Sequence, residues 1–108
     1  MRKAAVLIND QLSGFLEETA EGFKFMYTQE YLNSPGSTAV SLTLPLRKDQ
    51  YNSPVIFPFF DGLIPEGWLL DIASKNWKID PRDRMGMLLT CCRDCLGNVS
   101  IHEIIEEE

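Results

Sequence analysis

The run Phe57-Pro58-Phe59-Phe60-Asp61-Gly62-Leu63-Ile64-Pro65-Glu66-Gly67-Trp68 sets three phenylalanines, two prolines and two glycines within twelve residues. Aromatic side chains of this size call for burial, while each proline fixes a backbone angle and each glycine frees one. The run holds no nucleophile, metal-ligand set or phosphate cradle. It reads as architecture, the joint at which a sheet-forming first half hands over to a helical second half. Pro65 suits the first turn of a helix, where its missing N–H costs nothing, and Glu66 suits that helix's positive end. From there Leu69, Ile72, Ala73 and Asn76 share one face, flanked by Leu70 and Trp77, with Trp68 about 100° round on the opposite flank.

Upstream the pattern is β. Lys3–Ile8, Leu12–Glu18 and Phe23–Tyr27 are short apolar or alternating runs separated by polar turns at Asn9-Asp10-Gln11 and Thr19-Ala20-Glu21-Gly22. Two successive hairpins follow from that spacing. Phe23, Phe25 and Tyr27 put an aromatic stripe on one sheet face, read as core. Glu30–Asn33 forms a short helical turn ended by Ser34-Pro35-Gly36. Val40–Leu46 has period-2 alternation, with Val40, Leu42 and Leu44 on one face, and Pro45 ends the strand or confines it to an edge. A polar loop from Arg47 to Pro54 leads into Val55-Ile56-Phe57.

Downstream, Asp80 is placed as an N-cap, Pro81 as the first helical residue and Asp83 as the reciprocal capping acid. Met85, Leu88, Leu89 and Cys92 follow the i, i+3, i+4, i+7 rule. Gly97 resets the chain, and Val99, Ile101 and Glu103 alternate as a last strand. The sum is an α+β fold: a small antiparallel sheet, built from N-terminal hairpins and a returning C-terminal strand, packed with two to three helices. With 108 residues the chain is expected to form one domain, residues 1–108, with an acidic tail over about 103–108.

Composition narrows the function. A hydrophobic fraction of 44% and a charged fraction of 24% are those of a globular protein rather than a disordered one. Apolar runs fall far short of the roughly 20 residues of a membrane span. The opening Met1-Arg2-Lys3 has the charge of a signal peptide, but its apolar run breaks at Asn9, too early for one; a first strand and a cytoplasmic location are the expectation. A net charge of −6, with Arg82, Arg84 and Arg93 as the one short basic cluster, argues against direct nucleic-acid binding.

Catalytic templates fail in turn. Neither a G-x-x-x-x-G-K-[ST] phosphate loop nor a helix-opening G-x-G-x-x-G is present. Cys91, Cys92 and Cys95 cluster, and Cys92-x-x-Cys95 has redox or zinc spacing, but His102 is the single histidine available to complete a site. Structural thiols are the preferred reading, with a Cys95–His102 pair and a small Cys-dependent enzyme or metal-binding protein as the alternative. Asp61 and Glu66 could pair for acid–base work, yet fit helix capping at least as well. The expectation is a non-enzyme without cofactor or metal. Trp68 either covers the edge of the core or serves as an exposed aromatic anchor for a protein partner.

Tyr31-Leu32, Leu42-Thr43-Leu44-Pro45-Leu46, Phe59 through Gly67 and Asp94-Cys95-Leu96-Gly97-Asn98-Val99 occur in an order that resembles the N-terminal subdomain of HipA-type serine/threonine kinase toxins. The F-F-x-x-L-x-P-E-G element is the most specific part and D-C-x-G-x-V the second. The resemblance covers nearly the whole chain and implies a β-rich unit with helices that packs against a kinase core. No ATP-binding lysine, catalytic Asp loop or metal-binding Asp motif accompanies it. A stand-alone protein of this kind resembles the HipS component of three-part HipBST toxin–antitoxin systems, a small antitoxin that neutralises the kinase HipT beside a DNA-binding HipB. The implied partners are therefore a HipT-like kinase and, within a larger complex, a HipB-like protein. Ile64, Trp68 and Asp71 are the expected contact surface, taken from helix geometry. An accessory subunit that stabilises its kinase without inhibiting it, or a detached fragment of a longer kinase, would share the same fold.

Overall fold

The computed structural model of the protein describes residues 1–64, 75, 80, 82–92 and 98–104. Five strands form one antiparallel sheet: β1 (Lys3–Ile8), β2 (Gln11–Thr19), β3 (Gly22–Tyr27), β4 (Tyr51–Ser53) and β5 (Val99–Ile104), in the spatial order β4-β3-β2-β1-β5. Three described helices accompany it: α1 (Gln29–Asn33), α2 (Pro58–Asp61) and α3 (Arg84–Cys91).

The two expected hairpins are present. Asn9 and Asp10 both take positive φ, 52° and 64°, the two-residue turn whose twist matches that of its strands. Asn and Asp tolerate that conformation better than other side-chain-bearing residues. Register then slips by one residue, with Val6 opposite Gly14 but Leu7 opposite Leu12. Ser13 is the extra residue of this bulge, and it is fully buried. Its Oγ donates to the Val6 carbonyl at 2.8 Å and its own carbonyl accepts from Thr28 N–H at 2.9 Å, so the buried hydroxyl and carbonyl of the bulge are both satisfied. At the other side of β1, β5 pairs Ile101 with Val6 and Glu103 with Ala4. Glu103 and Ile104 thus belong to the last strand rather than to a solvated tail.

Two sequence expectations are corrected. Val40–Leu46 is not a strand: Ser41 and Leu44 close a tight turn through a 3.1 Å Leu44 N–H to Ser41 carbonyl bond and a lone bridge. Val40 and Leu44 are buried while Leu42, assigned to the same face, stands at 101% relative exposure. The physical reason is the demand of two tyrosines. Tyr27 Oη donates to the Leu44 carbonyl and accepts from Val40 N–H at 2.9 Å, and Tyr31 Oη bonds both the carbonyl (2.7 Å) and N–H (3.1 Å) of Thr38. Satisfying those buried hydroxyls curls the segment over the stacked Tyr27 and Tyr31 rings instead of extending it. The edge strand β4 comes instead from the loop expected between Arg47 and Pro54, pairing Tyr51 with Phe25 and Ser53 with Phe23.

The second correction concerns the cap of α3. Asp83, not Asp80, is the N-cap, accepting from Gly86 N–H at 3.2 Å. Asp80 instead closes the preceding turn, its carboxylate accepting from Arg82 N–H at 2.9 Å and its carbonyl from Asp83 N–H at 2.9 Å. The apolar periodicity of α3 holds: Met85, Leu88, Leu89 and Cys92 are all buried, joined by Met87.

The core lies between the inner sheet face and these helices. Ala4, Val6, Leu16, Phe25 and Ile101 meet Phe57, Phe60, Ile64, Met85 and Leu88. Phe60 is the hub, with ring centroids 5.2–6.2 Å from Phe59, Phe25 and Phe57. The opening run therefore does anchor helix to sheet, and it also forms α2, a single helical turn with Pro58 at its start.

Candidate partner-binding surface

Pro58 opens α2, and Asp61 at its end receives Arg84 Nε at 2.6 Å from the first turn of α3. Leu63 offers its carbonyl to the buried Cys92 thiol, S to O 3.2 Å, at the far end of α3. Two contacts thus clamp the segment that leads out of α2 across the length of α3. Asp61 is held by Arg84 in a structural ion pair, and Cys92 packs as a small buried residue with a carbonyl partner, as a structural thiol does.

Ile64 closes that segment, and its side chain is in the core at 2% exposure. This corrects its expected place on the contact surface: the apolar floor beneath α2 and α3 takes it inward, so it anchors the segment and does not face outward. Trp68 and Asp71 lie outside the described residues, as do the helix expected from Pro65, the Glu66 carboxylate and Cys95. His102 sits on β5 opposite Ala5, its Nε2 3.1 Å from Ser100 Oγ. Among the described residues no three His, Cys, Asp or Glu side chains gather in metal-binding geometry, and no helix is long and apolar enough to cross a membrane.

The N-terminus supplies a second clamp, one that motif reading missed. Arg2 grips Glu18 with Nε (2.6 Å) and Nη2 (2.9 Å), and Asp83 with Nη1 (2.9 Å) and Nη2 (2.7 Å). One guanidinium thereby joins the end of β2 to the cap of α3 in paired, fork-like contacts. The Arg2 hydrogen bonds hold both carboxyls below their ordinary range, and the two acids raise the Arg2 guanidinium in turn. No spacing rule could connect residues 2, 18 and 83; only the placement of the α3 cap beside the sheet does. Beside this knot lies an open groove of about 280 Å³ between Phe23, Pro54, Val55 and Met85, with Asp83 and Arg82 on its rim. Its two rim charges are already engaged, Asp83 with Arg2 and Arg82 with Asp80. Among the described residues the groove brings together neither a nucleophile with a base nor a convergent donor set.

Comparisons with known proteins agree with this geometry. The family described as the HipA N-terminal domain matches residues 4–102. A Haemophilus influenzae protein, described as uncharacterized, is 33% identical over 103 residues, covering 95% of this chain and 93% of that protein. A solved structure titled the N-terminal domain of HipA toxin superposes with a TM-score of 0.76 at 28% sequence identity, covering 99% of this chain and 96% of that one.

Proposed function

We propose that this chain, which belongs to the HipA N-terminal domain family, is a non-catalytic antitoxin that binds a HipT-type serine/threonine kinase and holds it inactive. The observation that carries the reading is the extent of the match. A single HipA-type N-terminal domain accounts for 99% of this chain, and a Haemophilus influenzae relative is matched over 93% of its own length. A unit of this size recurs, and neither its sequence motifs nor its described side chains supply phosphoryl-transfer machinery. What such a unit can offer a kinase is surface.

In this account the free domain docks where the fused domain sits in longer toxins and presents the segment after Ile64 to the kinase cleft. Trp68 is the anchor, since a tryptophan filling a desolvated pocket carries a large share of binding energy, and Asp71 meets a basic group beside it. Ile64 and the two α3 clamps keep the base of that segment rigid, which lowers the ordering cost of binding. The chain acts in the cytoplasm alongside a HipB-like protein, and its net charge of −6 leaves DNA contact to that subunit.

Co-expression with the kinase tests the reading. Growth arrested by the kinase resumes when this chain is produced, and Trp68→Ala, with an unchanged melting temperature, fails to restore it. Deeper arrest in the presence of the chain would mark an activating subunit and overturn the proposal.

A further inference from the structure

Residues 38–46 cross the stacked rings of Tyr27 and Tyr31 without joining the ladder of any strand. They are held in another way, and the chain's three tyrosines all take part. Tyr31 Oη donates to the Thr38 carbonyl at 2.7 Å and accepts from Thr38 N–H at 3.1 Å. Tyr27 Oη accepts from Val40 N–H at 2.9 Å and donates to the Leu44 carbonyl. Tyr51 Oη donates to the Pro45 carbonyl at 2.6 Å. Among the described residues, every hydrogen bond that ties this stretch to the rest of the chain ends on one of those hydroxyls. The remaining bonds, among Ser41, Thr43 and Leu44, lie inside it. Val40 and Leu44 are the buried apolar side chains that it adds to the core.

Ordering a backbone costs entropy at every residue, and this stretch sets only its phenol bonds and two buried side chains against that cost. The paired strands are held more densely. Segments with few buried contacts and no ladder open locally, at a free energy below that of global unfolding. The stems permit it. Upstream, Gly36 takes a φ of 75°, with nothing within 4 Å of where a Cβ would stand, so the backbone can pivot there without meeting a neighbour. Downstream, Arg47 folds back on its own loop, donating to the Asp49 and Gln50 carbonyls, and that loop keeps its shape when the stretch lifts. We infer that residues 38–46 form a strap that opens and closes as one unit, latched by the three tyrosine hydroxyls. Lifting it bares the Tyr27 and Tyr31 rings and breaks no hydrogen bond of the sheet.

Native-state hydrogen exchange of the full chain, followed residue by residue by NMR in low urea, tests it. The Thr38 and Val40 amides should be protected at least about 10-fold less than the β1–β2 ladder, with a shallower dependence on urea. Two variants then read the latch from the far side. Tyr27→Phe removes no bond to Thr38, yet in a single unit it speeds Thr38 exchange about 5- to 100-fold. Tyr31→Phe removes no bond to Val40 and should speed Val40 exchange likewise. Thr38 and Val40 protection equal to that of the ladder, with the full urea slope, would show the stretch opening only with the whole molecule and would overturn the inference. Thr38 exchange within twofold of the unaltered chain in Tyr27→Phe would overturn it too, since the two latches would then be independent.

Discussion

Arg2 and Tyr27 each serve several masters, and replacing them separates electrostatics from packing. Arg2→Ala deletes four side-chain hydrogen bonds between β2 and the α3 cap. Because Arg2 and Asp83 side chains are 37% and 40% exposed, solvent screening discounts the knot to about 1–2 kcal/mol. Glu18 and Asp83 titrate lower in the folded chain than in the unfolded one, so the unfolded chain binds more protons through that range. Their contribution is complete above the ordinary carboxylate value of about 4.5 and fades as pH falls through the folded values. Urea unfolding of Arg2→Ala should therefore show its full deficit at pH 7 and a shrinking one toward pH 3. Tyr27 behaves with the opposite sign. Burial pushes its phenol up to about 12, so the stability of the neutral form is complete below 10 and lost as pH rises toward that value. In an absorbance titration one of the three tyrosines should ionise late, and Tyr27→Phe should remove that phase while costing about 1–3 kcal/mol, because a buried N–H and carbonyl lose their partner.

Among the elements, those decided by local chemistry were legible and those decided by distant partners were not. Strands β1, β2 and β3, helix α1 and strand β5 follow alternation and turn residues that lie within a few positions of one another. The 40–46 segment alternates just as cleanly, yet it curls, because the Tyr27 hydroxyl, more than ten residues upstream, takes both Val40 N–H and the Leu44 carbonyl while Tyr31 holds the adjoining Thr38. The α3 cap moved from Asp80 to Asp83 for a similar reason, since Arg2 reaches only the latter. Alanine substitutions measure the difference. An extended strand would charge similar costs at Leu42 and Leu44, whereas the turn predicts about 2–5 kcal/mol for Leu44→Ala and within about 0.5 kcal/mol for Leu42→Ala in thermal unfolding. Gly86 gives a further check: a Cβ there would collide with the Asp83 carboxylate and approach Arg2 Nη1 at 3.1 Å. Gly86→Ala should lower the melting temperature despite alanine's higher helix propensity, which alone is worth about 1 kcal/mol in the other direction.

For the whole molecule, the joint at Phe57–Trp68 was the most legible feature in both senses. Its three phenylalanines pack where an architectural run must, with Phe60 at the hub of the core, and its F-F-x-x-L-x-P-E-G pattern carried the family resemblance that the comparisons bear out. The contact surface was less legible. Ile64 looked equally suited to face outward, and only the apolar floor formed by α2 and α3, assembled from residues more than twenty positions apart, shows that it turns in. Leu42 was read onto one strand face with Val40 and Leu44, whereas in the fold those two are buried and Leu42 stands outside. The proposed function is inhibition of a kinase by contact. Kinase inhibition by the purified chain is therefore the direct measurement. With a HipT-type kinase and ATP, phosphoryl transfer should fall toward zero as the chain approaches one equivalent, and Trp68→Ala should leave it running. Transfer that continues unchanged, or accelerates, with the unaltered chain in excess would contradict the account.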